Sequence, residues 1–260
     1  MTNESSKKNG KKKALIIGIS RYDHNDEFSN LDFCENNANE IFSILKDQGY
    51  DVPAKALLVG RVEWTTMRDE IIDFFEDSSL KSDDVLFFFF SGHGHLGKNT
   101  SRTYLSTSEI DEASPMKRGI LFDDLTTYIN DSNSKRIIAV LDCCFNNKLE
   151  VIAGKAGEEK SAKTKKGEGM ADRANSNMRK AVERLIRSGQ GKCVIASSLE
   201  EQKSFKMKDQ PYSTFTYFLI QGLRGANGES VDLNGYVTPE LLSSYLNKKI
   251  SELPKIFLFR

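Results

Sequence analysis

Charge of one sign, paired cysteines and long hydrophobic runs are all lacking in this sequence of 260 residues. Lysine plus arginine number 37 and aspartate plus glutamate also number 37, so the formal charge is zero. That balance argues against a general nucleic-acid or membrane-surface binder, since both need an excess of cations. Only four cysteines occur: Cys143 and Cys144 are adjacent, Cys34 and Cys193 are isolated, and none forms C-x-x-C. The pattern speaks against a disulfide scaffold. With three histidines at no paired-ligand spacing, it offers no structural zinc site either. No apolar stretch approaches the roughly 20 residues of a membrane span. The polar start "MTNESSKKNGKKK" runs into "ALIIGI", which is strand-length and too short for a secretion signal. The chain is expected to be intracellular and cytoplasmic. G-x-x-x-x-G-K-[ST] is missing, which sets aside a P-loop enzyme.

What is present is alternation. "ALIIGIS" (Ala14–Ser20), "ALLVG" (Ala56–Gly60), "VLFFFFS" (Val85–Ser91), "RIIAVLD" (Arg136–Asp142) and "KCVIASS" (Lys192–Ser198) are short and apolar on both faces. Strands covered by helices above and below look like this. Helical patterns lie between them, at Leu31–Gln48, Trp64–Ser79, Phe122–Asn130, Asn177–Ser188, Tyr212–Arg224 and Thr238–Glu252. "KIFLF" near the terminus reads as a sixth strand. The expected fold class is α/β, a three-layer α/β/α sandwich around a mostly parallel sheet of about six strands. Residues 1–12 are expected to form a disordered, lysine-rich tail. The stretch 154–180 holds eight basic and four acidic residues, with two methionines as its only large apolar side chains. It is expected to be a mobile basic linker.

Chemistry gathers where two strands end. "DDVLFFFFSGHGHLG" takes an apolar run into Ser91-Gly92-His93-Gly94-His95, and "RIIAVLDCCFNN" takes another into two cysteines. In open parallel sheets, sites form outside the carboxyl ends of the strands. If the two strands are neighbours, an imidazole and a thiol emerge at one edge. A cysteine nucleophile needs such a base, and glycine-turn N–H groups can receive the developing oxyanion. The plainer alternative remains at this point: a loop histidine and a cysteine acting as a small hydrophobe.

"FFFFSGHG" followed by "RIIAVLDCCFNN" resembles the caspase-like peptidases, above all the prokaryotic caspase homologues and metacaspases. His93 and Cys144 are 51 positions apart (144 − 93), close to the roughly 50 residues usual in caspases. "ALIIGISRY", "CENNA", "ILFDDL", "ASSLEEQKSF" and "YSTFTYFLIQGLRGA" extend the resemblance over Lys13 to Phe259. It implies a caspase-like fold in which 13–153 forms a large-subunit-like half and 181–260 a small-subunit-like half of one domain.

The same resemblance implies roles. Cys144 matches the nucleophile and His93 its partner, while Gly94 and the Cys144 backbone match the oxyanion donors. Asp142 matches the acid that selects the substrate side chain before the cut, with Asn37 and Ser197 as further substrate-binding positions. A carboxylate there favours arginine or lysine. The expected function is thus a cysteine endopeptidase cutting after basic residues, with self-cleavage in the linker and a protein or peptide as substrate. No organic cofactor is required. Calcium is an open expectation, resting on Asp123 and Asp124, with no upstream acid evident at Ser106–Glu109. Two departures support an inactive scaffold or interaction module as the alternative. Asn37 is neutral where the family has a second acid, and Asn146-Asn147 follow where small residues are usual. The resemblance also implies a monomer, and the apolar run at the end of the sequence raises the expectation of an upstream regulatory partner or a fused domain outside these residues. Neither a nucleic acid nor a membrane is an expected partner.

Overall fold

The computed structural model describes residues 10–97, 102–143, 191–197, 210–225 and 228–253. Its centre is a parallel sheet of β1 (Lys12–Ile19), β2 (Leu57–Gly60), β3 (Val85–Ser91), β7 (Arg136–Asp142) and β8 (Lys192–Ala196). Their order is β2-β1-β3-β7-β8. The five apolar runs are these five strands. They are apolar on both sides because both faces are covered. In β3, Phe88 meets Phe75 of α2 (Trp64–Phe75) at 5.8 Å between ring centroids. The next residue back, Phe87, points to the other face and meets Tyr50 at 6.0 Å. Phe87, Phe88, Phe89 and Phe90 are all buried.

Helix α1 (Asp32–Asp47) lies over β1, β2 and β3, and α5 (Thr214–Leu223) packs on it with α6 (Pro239–Ser251) behind. The other layer holds α2 and α4 (Phe122–Asp131). A one-turn helix, α3 (Pro115–Arg118), follows in the chain before α4. β1 begins at Lys12, which pairs with Val85, so the last residue of the expected tail already belongs to the sheet. The expected helix at Asn177–Ser188, the strand "KIFLF" and the linker 154–180 lie outside the described residues.

One element was not expected. β4 (Gly94–Leu96), β5 (Thr103–Ser106) and β6 (Gly119–Leu121) form a small antiparallel sheet. Its first strand opens within the glycine-histidine turn. Gly92, Gly94 and Gly97 have the G-x-G-x-x-G spacing of a dinucleotide loop. Here that spacing runs into a strand, whereas the dinucleotide motif needs a helix N-terminus to receive the pyrophosphate.

The chain runs from β1 outward to β2, then crosses back to β3 and on to β7 and β8. The order therefore reverses between β1 and β3. A crevice opens at such a reversal, outside the carboxyl ends. Tyr22, His93, Asp142 and Ser197 all follow or end strands on that side.

Candidate active site

β3 and β7 are adjacent and in register, with Ser91 opposite Asp142, an offset of 51 (142 − 91). The offset equals the interval between His93 and Cys144. In sequence, each thus falls two residues after the last registered pair. Cys144 itself lies outside the described residues. Cys143, before it, is wholly buried in the hydrophobic core, and its carbonyl accepts from Ser197 Oγ at 3.3 Å. A thiol in that position is not available to a substrate, which leaves Cys144 as the candidate of the adjacent pair.

His93 is held from several directions. Its ring Nε2 lies 2.8 Å from the Ser29 carbonyl oxygen. A carbonyl only accepts, so Nε2 carries the proton and Nδ1 keeps its lone pair. The backbone N–H donates to Tyr22 Oη at 2.8 Å, and the carbonyl accepts from Ser106 N at 2.9 Å. Tyr22 and Phe28 flank the ring at centroid distances of 4.8 and 5.8 Å. Burial holds the imidazole below its usual pKa, against the opposing effect of the Ser29 carbonyl. A neutral ring with one fixed N–H and one open nitrogen is a general base in waiting.

Gly94 sits at the outer edge of the small sheet. The β4–β5 ladder bonds Ser106 N to His93 O and Gly97 N to Arg102 O. Gly94, opposite Leu105, falls at the intervening non-bonded position, so its N–H turns away from β5. An N–H free of the ladder is what an oxyanion donor requires.

Asp142 is 3% exposed and ends β7 inside a polar cluster. Its Oδ2 accepts from Ser213 Oγ at 2.5 Å, Thr216 Oγ1 at 2.7 Å and Asn37 Nδ2 at 3.1 Å. Burial holds its pKa above the usual carboxylate value, against the lowering effect of the nearby hydroxyls of Ser213, Thr216, Ser91 and Ser197. Ser213 caps α5 and also accepts from Thr216 N, so the carboxylate sits at the positive end of that helix. The structure thus places Asn37 against Asp142, and Ser197 beside them on the Cys143 carbonyl. Tyr22, the Ser29 carbonyl, Ser91, Ser213 and Thr216 were missed. Only Ser213-x-x-Thr216, a helix-cap pattern, left a signal that could have found them.

Asp123 and Asp124 do not join this group. They open α4, and Asp124 lines a separate cleft of about 300 Å³ with Arg68 and Arg102. Among the described residues no group of three His, Cys, Asp or Glu side chains could hold a metal ion. Glu109, at the end of the Ser106–Glu109 segment, accepts the Trp64 N–H at 2.7 Å.

The caspase domain family matches residues 11–246. The chain belongs to that family. Its members are cysteine peptidases, which act on proteins. The crystal structure of caspase-1 from Spodoptera frugiperda is similar, with a TM-score of 0.57 and 14% identity. The match covers 94% of this chain and 78% of that one, and shows a shared fold. Comparison with the curated proteins finds no match. Among the described residues of this caspase domain, no helix is long and apolar enough to cross a membrane.

Proposed function

We propose that this caspase domain is a cytoplasmic cysteine endopeptidase of metacaspase type, cutting proteins after lysine or arginine. One observation carries the reading: a base-ready His93 and a buried Asp142 stand at the ends of neighbouring strands whose offset equals the His93–Cys144 spacing.

In this mechanism His93 Nδ1 takes the Cys144 thiol proton, and the thiolate attacks the substrate carbonyl carbon. The oxyanion is received by the N–H groups of Gly94 and Cys144. The imidazolium gives its proton to the leaving amine, the C–N bond breaks, and a thioester remains. Water then attacks it, losing a proton to His93, and the acid product leaves with the thiol restored. Asp142 attracts the cationic side chain before the cut. It supports that role because, among the described residues, no ion pair neutralises it. The scheme needs no organic cofactor. The basic linker 154–180 is the proposed self-cleavage region.

Fluorogenic peptides ending in lysine, arginine or aspartate test the reading, with and without calcium. Wild type should release the fluorophore from the basic pair, and Cys144→Ala should lose activity by at least about 10³-fold. Incubation should yield two fragments of the wild type only. No release above the Cys144→Ala background in any condition would favour the scaffold reading.

A further inference from the structure

We infer that the pocket around Asp142 prefers lysine to arginine, and that Asn37 sets the preference. This rests on the basic-residue reading above and goes one step further, to which cation fits.

The acceptors decide it. Oδ2 of Asp142 already receives Ser213, Thr216 and Asn37. A guanidinium pairs best as a fork, with two parallel N–H groups on both oxygens of one carboxylate. One prong of that fork is blocked here. Asn37 cannot substitute for the missing acceptor. Its Nδ2 donates to Ser91 Oγ at 3.0 Å, to Asp142 and to Ser213 Oγ at 3.3 Å. Its Oδ1 accepts from Ser213 N at 3.1 Å. The amide is used at both ends and is wholly buried. An arginine entering this cluster would leave in-plane N–H groups buried without partners, which is costly.

An ammonium asks for less. It has three donors in a cone and needs one carboxylate oxygen and two neutral acceptors. Ser91 Oγ accepts from Asn37 Nδ2 and keeps a second lone pair, and Ser197 Oγ, which donates to the Cys143 carbonyl, keeps its lone pairs for a cation. Of these described residues Ser197 is the least buried at 8% exposed, Asp142 is 3% exposed, and Asn37 and Ser91 are fully buried. A substrate side chain entering from β8 therefore meets Ser197 and Asp142 first, with Asn37 behind them. The single negative charge matches a single compact cation.

Two peptides identical except for lysine or arginine before the cut test this through kcat/KM. Wild type should favour lysine by about threefold to tenfold, the worth of one net hydrogen bond. Asn37→Asp, which adds acceptor oxygens at the floor, should move the ratio at least tenfold toward arginine. Ser197→Ala, a smaller change, should raise KM for lysine more than for arginine, and serves if Asn37→Asp does not fold. A wild-type ratio of one or less, or a Ser197→Ala effect equal for both peptides, overturns the inference while basic specificity stands. If neither basic peptide is cut but another is, the underlying reading falls and this one with it.

Discussion

Tyr22 stands 71 residues before the turn it supports, yet no side chain does more to fix His93. Its phenol accepts the His93 N–H at 2.8 Å and donates to the Ile19 carbonyl at 3.4 Å. Burial keeps that phenol protonated by pushing its pKa well above the usual value. The fit leaves no room for a larger residue at Gly92, where an added Cβ would lie 3.0 Å from Tyr22 Oη and 2.9 Å from Phe90 Cζ. Tyr22→Phe keeps the ring and removes the acceptor, orphaning the His93 N–H. We expect a loss of about 1–3 kcal/mol in urea unfolding, the usual cost of an unpaired buried donor. Because Tyr22 bonds to Asn30, Ile19 and His93 among the described residues rather than to Asp142, kcat should fall by about tenfold, the rate equivalent of 1.36 kcal/mol, with KM nearly unchanged. A raised KM at constant kcat would show instead that Tyr22 shapes substrate binding. At this scale the sequence singled out His93 and Asp142 as candidates, because their neighbours make a pattern. It hid Tyr22 and Ser29: one acts across a long interval, and the other offers only a carbonyl, which every residue has.

The element that brings Asn37 to Asp142 is α1, and its approach depends on one glycine. Gly18 lies in β1 between Val59 of β2 and Ser91 of β3. A Cβ there would meet the Cys34 carbonyl oxygen at 2.3 Å and Ala38 Cβ at 2.6 Å. Helix and strand are therefore closer than any side chain permits, and the obstructing atom is backbone, which cannot rotate away. Gly18→Ala should push α1 outward and destabilise the fold by about 1–3 kcal/mol, as overpacking does. It should also raise KM for basic peptides, since Asn37 is carried on the displaced helix. Equal stability and KM in the variant would mean that α1 yields freely at this point. Elements of this length were legible: five strands and α1, α2, α4, α5 and α6 each carry a core-facing pattern. The small sheet was not. "GHL", "TYLS" and "GIL" are three or four residues long, too short for a period of two to show.

Across the whole molecule, the expected linker divides the sequence but not the packing. β8 pairs with β7 from Ile137–Lys192 to Leu141–Ala196, and Ser197 N continues the ladder to the Leu141 carbonyl at 2.9 Å. The segment around α5 clasps α1. Asn36 Nδ2 reaches the Pro211 carbonyl at 3.3 Å, Tyr212 Oη bonds Glu40 at 3.0 Å, and Gln48 Nε2 bonds the Leu223 carbonyl at 2.8 Å. Arg224 also pairs with Glu40. Asp142 adds its bonds to Ser213 and Thr216 at the centre. A buried strand pair and a helix interface are core contacts, lost only when the fold is lost. Cutting the chain once between 154 and 180, by self-cleavage or a trace of trypsin, should leave these contacts in place. The two fragments should co-elute at the size of the intact chain in native gel filtration and separate only in denaturant. The cut protein should retain the lysine-over-arginine ratio of the uncut one, because Asn37, Ser91 and Asp142 come from one fragment and Ser197 and Ser213 from the other. Fragments that part in native buffer would mean that covalent continuity, rather than the β7–β8 and α1–α5 contacts, holds the pocket together.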